Sequence, residues 1–115
     1  MNEPPTQGPS DRRGGPRRRV LLGGMLVFGE AQMTLDCTIA NLSRSGARIR
    51  LAGPRMLGEP IYLIDLSHGL AFLAREAWRR EAVIGLSFVK YFDLSDPPPE
   101  IPKLLRDLWV ERQSR

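Results

Sequence analysis

Cysteine occurs once in this chain, at Cys37, and histidine once, at His68. A single thiol excludes an internal disulfide and a cysteine-built metal site, and it fits a reducing compartment. Neither residue sits in a nucleophile–base pattern. Asp36 and Asp65 stand isolated within strand-like stretches, so no acid–base pair is evident, and no phosphate-binding loop, dinucleotide fingerprint or His/Cys ligand cluster is present. The chain therefore points away from catalysis and from a bound metal or cofactor. Aromatic residues make up 7%, with Phe and Trp scattered singly, which argues against a sheet that stacks successive nucleic-acid bases. The longest stretch bounded by apolar residues, residues 20–28 with Gly23 and Gly24 inside it, is about half the length of a membrane helix. No charged-then-apolar leader precedes it. These absences predict a soluble, cytoplasmic protein without membrane insertion.

What is present begins with 115 residues, 42% of them hydrophobic, enough for one domain with a modest core. The formal charge is +4, and five arginines fall between residues 12 and 19: Arg12, Arg13, Arg17, Arg18 and Arg19. A concentrated basic cluster suits a phosphate-bearing partner, the other reading being a solvated basic tail. Residues 1–11 hold three prolines and almost nothing apolar, which predicts a disordered tail. Gly14, Gly15 and Pro16 break any helix after it, so residues 12–19 read as a basic arm leading into the first strand.

Strand signals then follow in series. Residues 20–28 form the first, with Gly23 and Gly24 suggesting a bulge or bend. In the second, residues 33–40, Met33, Leu35, Cys37 and Ile39 alternate with Thr34, Asp36 and Thr38. Alternation resumes in the third, where Ala47, Ile49 and Leu51 oppose Arg48 and Arg50. Residues 60–66, 70–79 and 83–89 complete six strands, with Ser67, His68 and Gly69 as a turn in which His68 faces solvent. Such spacing, punctuated by glycine and proline, predicts a small antiparallel barrel or sandwich. After Asp96 and three prolines the period changes. Ile101, Leu104, Leu105 and Leu108 share one helical face, with Glu100 and Pro102 at its entry, predicting a helix over residues 100–113 that covers an end or side of the sheet.

The stretch from Asn41 to Arg48 stands out within this pattern. Asn41, Ser43 and Gly46 form a polar turn between alternating strands, with Gly46 able to take positive φ. Asn41 offers both acceptor and donors to a base edge, and Ser43 offers a hydroxyl. Arginine's planar fork matches a phosphate or the O6/N7 edge of guanine. Arg12, Arg18 and Arg44 are secondary candidates. Trp78, near the end of the fifth strand, is a candidate base-stacking ring, with core packing or a partner surface as its other reading.

The Arg13–Arg17 spacing, the Asn41–Ser43–Gly46 turn, the strand Ile84-Gly85-Leu86-Ser87-Phe88 and the terminal helix together resemble the PilZ domain family over about residues 12–110. That resemblance implies a six-stranded antiparallel β-barrel with a C-terminal α-helix, and a receptor for cyclic di-GMP. It places the family's paired arginines on Arg13 and Arg17 and its second motif on Asn41, Ser43 and Gly46. The chain departs from the commonest family pattern at Asn41, where aspartate is frequent, and at Gly14, where arginine often stands. Four or five charged contacts of ~1.5–3 kcal/mol each, less the cost of ordering the arm, imply micromolar affinity, roughly −8 kcal/mol. The implied mechanism is an arm that orders on the ligand and passes its signal by contact with a downstream protein. Two alternatives stand beside this: a PilZ-like interaction module that no longer takes the nucleotide, and a small basic barrel that binds nucleic acid.

Overall fold

The computed structural model describes residues 18–30 and 33–113. Of the tail and arm expected over residues 1–19, residues 1–17 lie outside these, whereas Arg18 and Arg19, expected in the arm, already belong to the first strand. Six strands and one helix follow in order: β1 Arg18–Phe28, β2 Met33–Leu42, β3 Gly46–Arg50, β4 Ile61–Asp65, β5 Leu70–Arg80, β6 Val83–Asp93 and α1 Lys103–Gln113. Every pairing is antiparallel, and β1 pairs with both β2 and β4, so the sheet closes as a barrel in the order β1-β2-β3-β6-β5-β4. The expected six-stranded barrel with a C-terminal helix is the observed fold.

Alternation explains the interior. Cys37 and Ile39 of β2, Ala47 and Ile49 of β3, and Ile84 and Leu86 of β6 point inward against Leu26, Phe28, Leu63 and Phe72. Burial pushes the Cys37 thiol up to about 12, with the neighbouring Asp36 carboxylate adding to the effect. The thiol is thus un-ionised at neutral pH and acts as a small apolar side chain. Strands β1 and β4 follow a different rule. Met25, Leu26, Val27 and Phe28 are all buried, because the outer face of this part of the barrel is covered as well. Met25, Val27, Ile64, Ala71 and Phe92 form a second core with Ile101, Leu104, Leu105 and Trp109 of the C-terminal segment. A continuous apolar run is the signature of a strand buried on both faces. The helix therefore covers a side of the barrel, and its far end is tied down by an Arg112–Asp36 ion pair at 2.9 Å.

Several boundaries differ from the sequence reading, each for a local reason. The helix starts at Lys103, not 100; Pro102 stands just before it and accepts a hydrogen bond from the Leu105 N–H at 3.1 Å. Strand β6 continues to Asp93 through an irregularity opposite Leu73 and Ala74, so Val89 and Tyr91 stay exposed within a strand. The bulge in β1 lies between Arg19 and Leu22, ahead of the glycine pair, and leaves Leu21 83% exposed. Gly24 has another role: a Cβ there would stand 2.9 Å from Ile39 and 3.1 Å from the Cys37 sulfur, so the glycine makes room for the core.

The β4–β5 turn also departs from expectation. Asp65 is fully buried, and its carboxylate accepts the N–H groups of Ser67 and His68 at 3.0 and 3.3 Å. Its other oxygen lies 2.7 Å from His68 Nδ1, while the His68 ring remains 60% exposed. Asp65 and His68 are thus a pair, where the sequence showed an isolated carboxylate, while His68 keeps the solvent-facing turn position expected of it. Gly69 closes the turn at φ 68, a left-handed conformation that suits glycine, and Trp109 packs against it.

Candidate functional site

Paired residues on adjacent strands share a face of the sheet, so the register reveals what the polar turn brings together. Between β2 and β3 it shifts after Ile39: Ile39 pairs with Ile49, while Asn41 pairs with Arg48 and Leu42 with Ala47. The extra residue, Ala40, leaves Ile39 inward and sets Asn41 beside Arg48 on the outer side of the sheet, where Asn41 is itself only 9% exposed. On one side Asn41 pairs with Arg19 of β1. On the other, Arg48 pairs with Gly85 of β6, and Gly85 pairs with Trp78 of β5. Asn41, Arg48, Gly85 and Trp78 therefore form one row across four strands. At ~4.8 Å per strand the row spans about 14 Å.

Gly85 allows the row to function as a surface. A methyl group there would collide with Nε1, Cε2 and Cδ1 of Trp78, so the indole lies directly over the glycine. Trp78 remains 47% exposed, which excludes the core-packing reading. A groove of about 230 Å³ opens beside it, lined by Ser45, Gly46, Arg48, Trp78, Gly85 and Ser87, among others. Basic residues frame this face: Arg75 pairs with Ser87, and Arg80 with Val83, which itself pairs with Arg50. Arg79 is engaged elsewhere, donating two hydrogen bonds of 2.9 Å to Glu76. Those bonds hold the Glu76 carboxyl below its ordinary range and the Arg79 guanidinium above its own.

The turn is tighter than the sequence suggested, because Asn41 belongs to β2 and Gly46 to β3, leaving Ser43, Arg44 and Ser45 between them. Ser43 closes it. Its N–H donates to the Gly46 carbonyl at 2.9 Å, and its hydroxyl donates to the same oxygen and accepts the Ser45 N–H, each at 3.3 Å. With only 9% of its surface exposed, Ser43 holds the turn and Ser45 lines the groove in its place. Arg44 is exposed at the turn's tip. Gly46 is extended, not left-handed: the described glycines with positive φ are Gly29 and Gly69. It must be glycine because a Cβ would strike the carbonyl oxygen of Leu86 on β6.

Of the sequence-predicted residues, Asn41, Gly46 and Trp78 therefore share one outer face with the Ser43 turn and Arg44 at its edge. Arg12, Arg13 and Arg17 lie outside the described residues. Arg18 begins β1 opposite Leu42 and Arg19 follows opposite Asn41, so the segment that carries the arginines joins the barrel beside the polar corner. Arg48 was missed as a site residue, because in sequence it reads as one of two ordinary outward arginines on β3. The Ala40 bulge sets it between Asn41 and Trp78, and only the register shows that. No helix among the described residues is long and apolar enough to cross a membrane. In comparisons with known proteins, no family model matches the chain and no curated protein matches it.

Proposed function

We propose that this chain is a cytoplasmic receptor for cyclic di-GMP that signals through contact with another protein. The observation that carries the reading is the convergence of a basic segment, a polar corner and an exposed indole on one face of the barrel. Arg18 and Arg19 enter against Leu42 and Asn41, and the groove from Ser45 and Gly46 reaches Trp78. A cyclic dinucleotide carries two phosphates and two flat guanines, and this face offers guanidinium groups for the former and an aromatic platform for one of the latter. At about 230 Å³ the groove is smaller than the ~300–1,000 Å³ of pockets that enclose a drug-sized ligand. It accommodates one base, with the rest of the ligand lying toward the Asn41 corner, where Arg13 and Arg17 would clasp the phosphates.

Binding in this scheme orders the arm against the barrel and changes the surface offered to a partner. Titration calorimetry on the full chain, with GTP and a short oligonucleotide as competitors, tests the assignment. The expected result is saturable micromolar binding of cyclic di-GMP that neither competitor displaces at equal concentration. Displacement by the oligonucleotide would transfer the face to nucleic acid. Absence of any heat would leave an interaction module that takes no nucleotide.

A further inference from the structure

We infer that Arg48 is the residue that selects guanine over adenine in the groove; this rests on the cyclic di-GMP reading above. The pyrrole edge of Trp78 lies over Gly85, and Arg48 is the other neighbour of Gly85, on β3. A base stacked on the indole therefore presents one edge toward Arg48, one strand spacing away. Arg48 is partly buried and lines the same groove, so it is fixed to the sheet, in contrast to arginines carried on an entering arm.

Donor and acceptor chemistry then decides what this edge reads. Guanine shows two acceptors there, N7 and O6, whereas adenine shows the N7 acceptor and an N6 donor. Arginine only donates, through a rigid fork that fits the guanine pair and opposes the adenine amine. Asn41 both donates and accepts, and its amide suits the adenine N6/N7 edge, so it is not the residue that favours guanine. Apart from the Trp78 indole that carries the base, the groove's other polar side chains are Ser45 and Ser87, whose hydroxyls are equally permissive. Among the described lining residues, Arg48 alone carries the asymmetry that separates the two purines.

The test compares dissociation constants of cyclic di-GMP and cyclic di-AMP for the wild type, Arg48→Ala and Arg48→Gln, with Trp78 fluorescence as a second readout. The wild type should favour cyclic di-GMP by about tenfold or more. Arg48→Ala removes the donors, so the ratio should fall toward one while quenching of the indole persists. Arg48→Gln, which suits the adenine N6/N7 edge, should reverse the preference. If Arg48 serves only as a positive charge for phosphate, Arg48→Ala weakens both ligands alike, the ratio is retained and the inference fails. A measurement on the wild type alone guards against variants that do not fold: a cyclic dinucleotide with 7-deazaguanine, which lacks the N7 acceptor, should bind about tenfold more weakly than cyclic di-GMP. Equal affinity for the two would overturn the proposal. A wild type that binds no cyclic di-GMP sinks both readings, whereas binding without discrimination sinks this one alone.

Discussion

Arg13→Ala and Arg17→Ala are each expected to remove measurable cyclic di-GMP binding in calorimetry while leaving the circular dichroism of the barrel unchanged. Each guanidinium lost from a phosphate or a guanine edge forfeits ~1.5–3 kcal/mol, a factor of roughly ten to one hundred and fifty. From a micromolar start, either change carries the complex beyond the range of an ordinary titration. The fold should be indifferent, because both positions precede the first strand, which begins at Arg18. Retained affinity in both variants would refute the receptor reading. Loss of the barrel's spectrum would show instead that these arginines hold the fold.

The second large effect belongs to Gly46, where fold and site meet. Its backbone pairs with Ser87 while Ala47 pairs with Leu86, and an added methyl would run into the Leu86 carbonyl oxygen. That oxygen is part of the β6 backbone and cannot swing aside as a flexible side chain would. Gly46→Ala must therefore open the β3–β6 seam next to the groove. A cost of about 2–4 kcal/mol is expected, which for a domain of this size lowers the melting temperature by on the order of 10 °C. Gly53, with nothing within 4 Å of its would-be Cβ, is the control: Gly53→Ala should change stability by less than about 1 kcal/mol. Thermal melts of the two variants decide the matter, and a Gly46→Ala protein that melts with the wild type would mean the seam is looser than described.

Much of the barrel was legible in the sequence because its strands obey simple patterning. The strict alternation of β2 and β3 gave their faces, and the strand and turn chemistry around them gave the count. Where the reading slipped, a neighbour in space supplied the missing term. Strand β6 was ended too early because Val89 and Tyr91 are exposed within it and the bulge opposite Leu73 and Ala74 breaks the period. Gly23 and Gly24 suggested a bulge, yet Gly24 is small because Ile39 and Cys37 crowd it from β2. The helix start was set too early by Glu100 and Pro102, which lie in the approach to it and not in its first turn.

The candidate site was legible in its residues but not in its arrangement. Asn41, Ser43 and Gly46 were visible as a polar turn; their division of labour was not, since Ser43 satisfies the turn's own backbone and Gly46 serves a close approach across strands. Trp78 could not be placed from its local context, because its exposure depends on Gly85 standing opposite. Arg48 was hidden for a similar reason. One extra residue at Ala40 sets the register that brings it between Asn41 and the indole, and such a shift leaves no mark in composition or periodicity. Asp65 and His68 likewise became a pair only once the turn between β4 and β5 folded the ring back onto the carboxylate.

A proton–nitrogen correlation spectrum of the full chain, recorded with and without cyclic di-GMP, locates the binding face residue by residue. Shifts should gather in residues 12–19 and 41–48, together with Gly85 and the Trp78 indole, while the signals of α1 and the outer faces of β1 and β4 beneath it stay in place. Shifts confined to the helix-covered side, or a spectrum that does not respond to the nucleotide, would contradict the receptor reading.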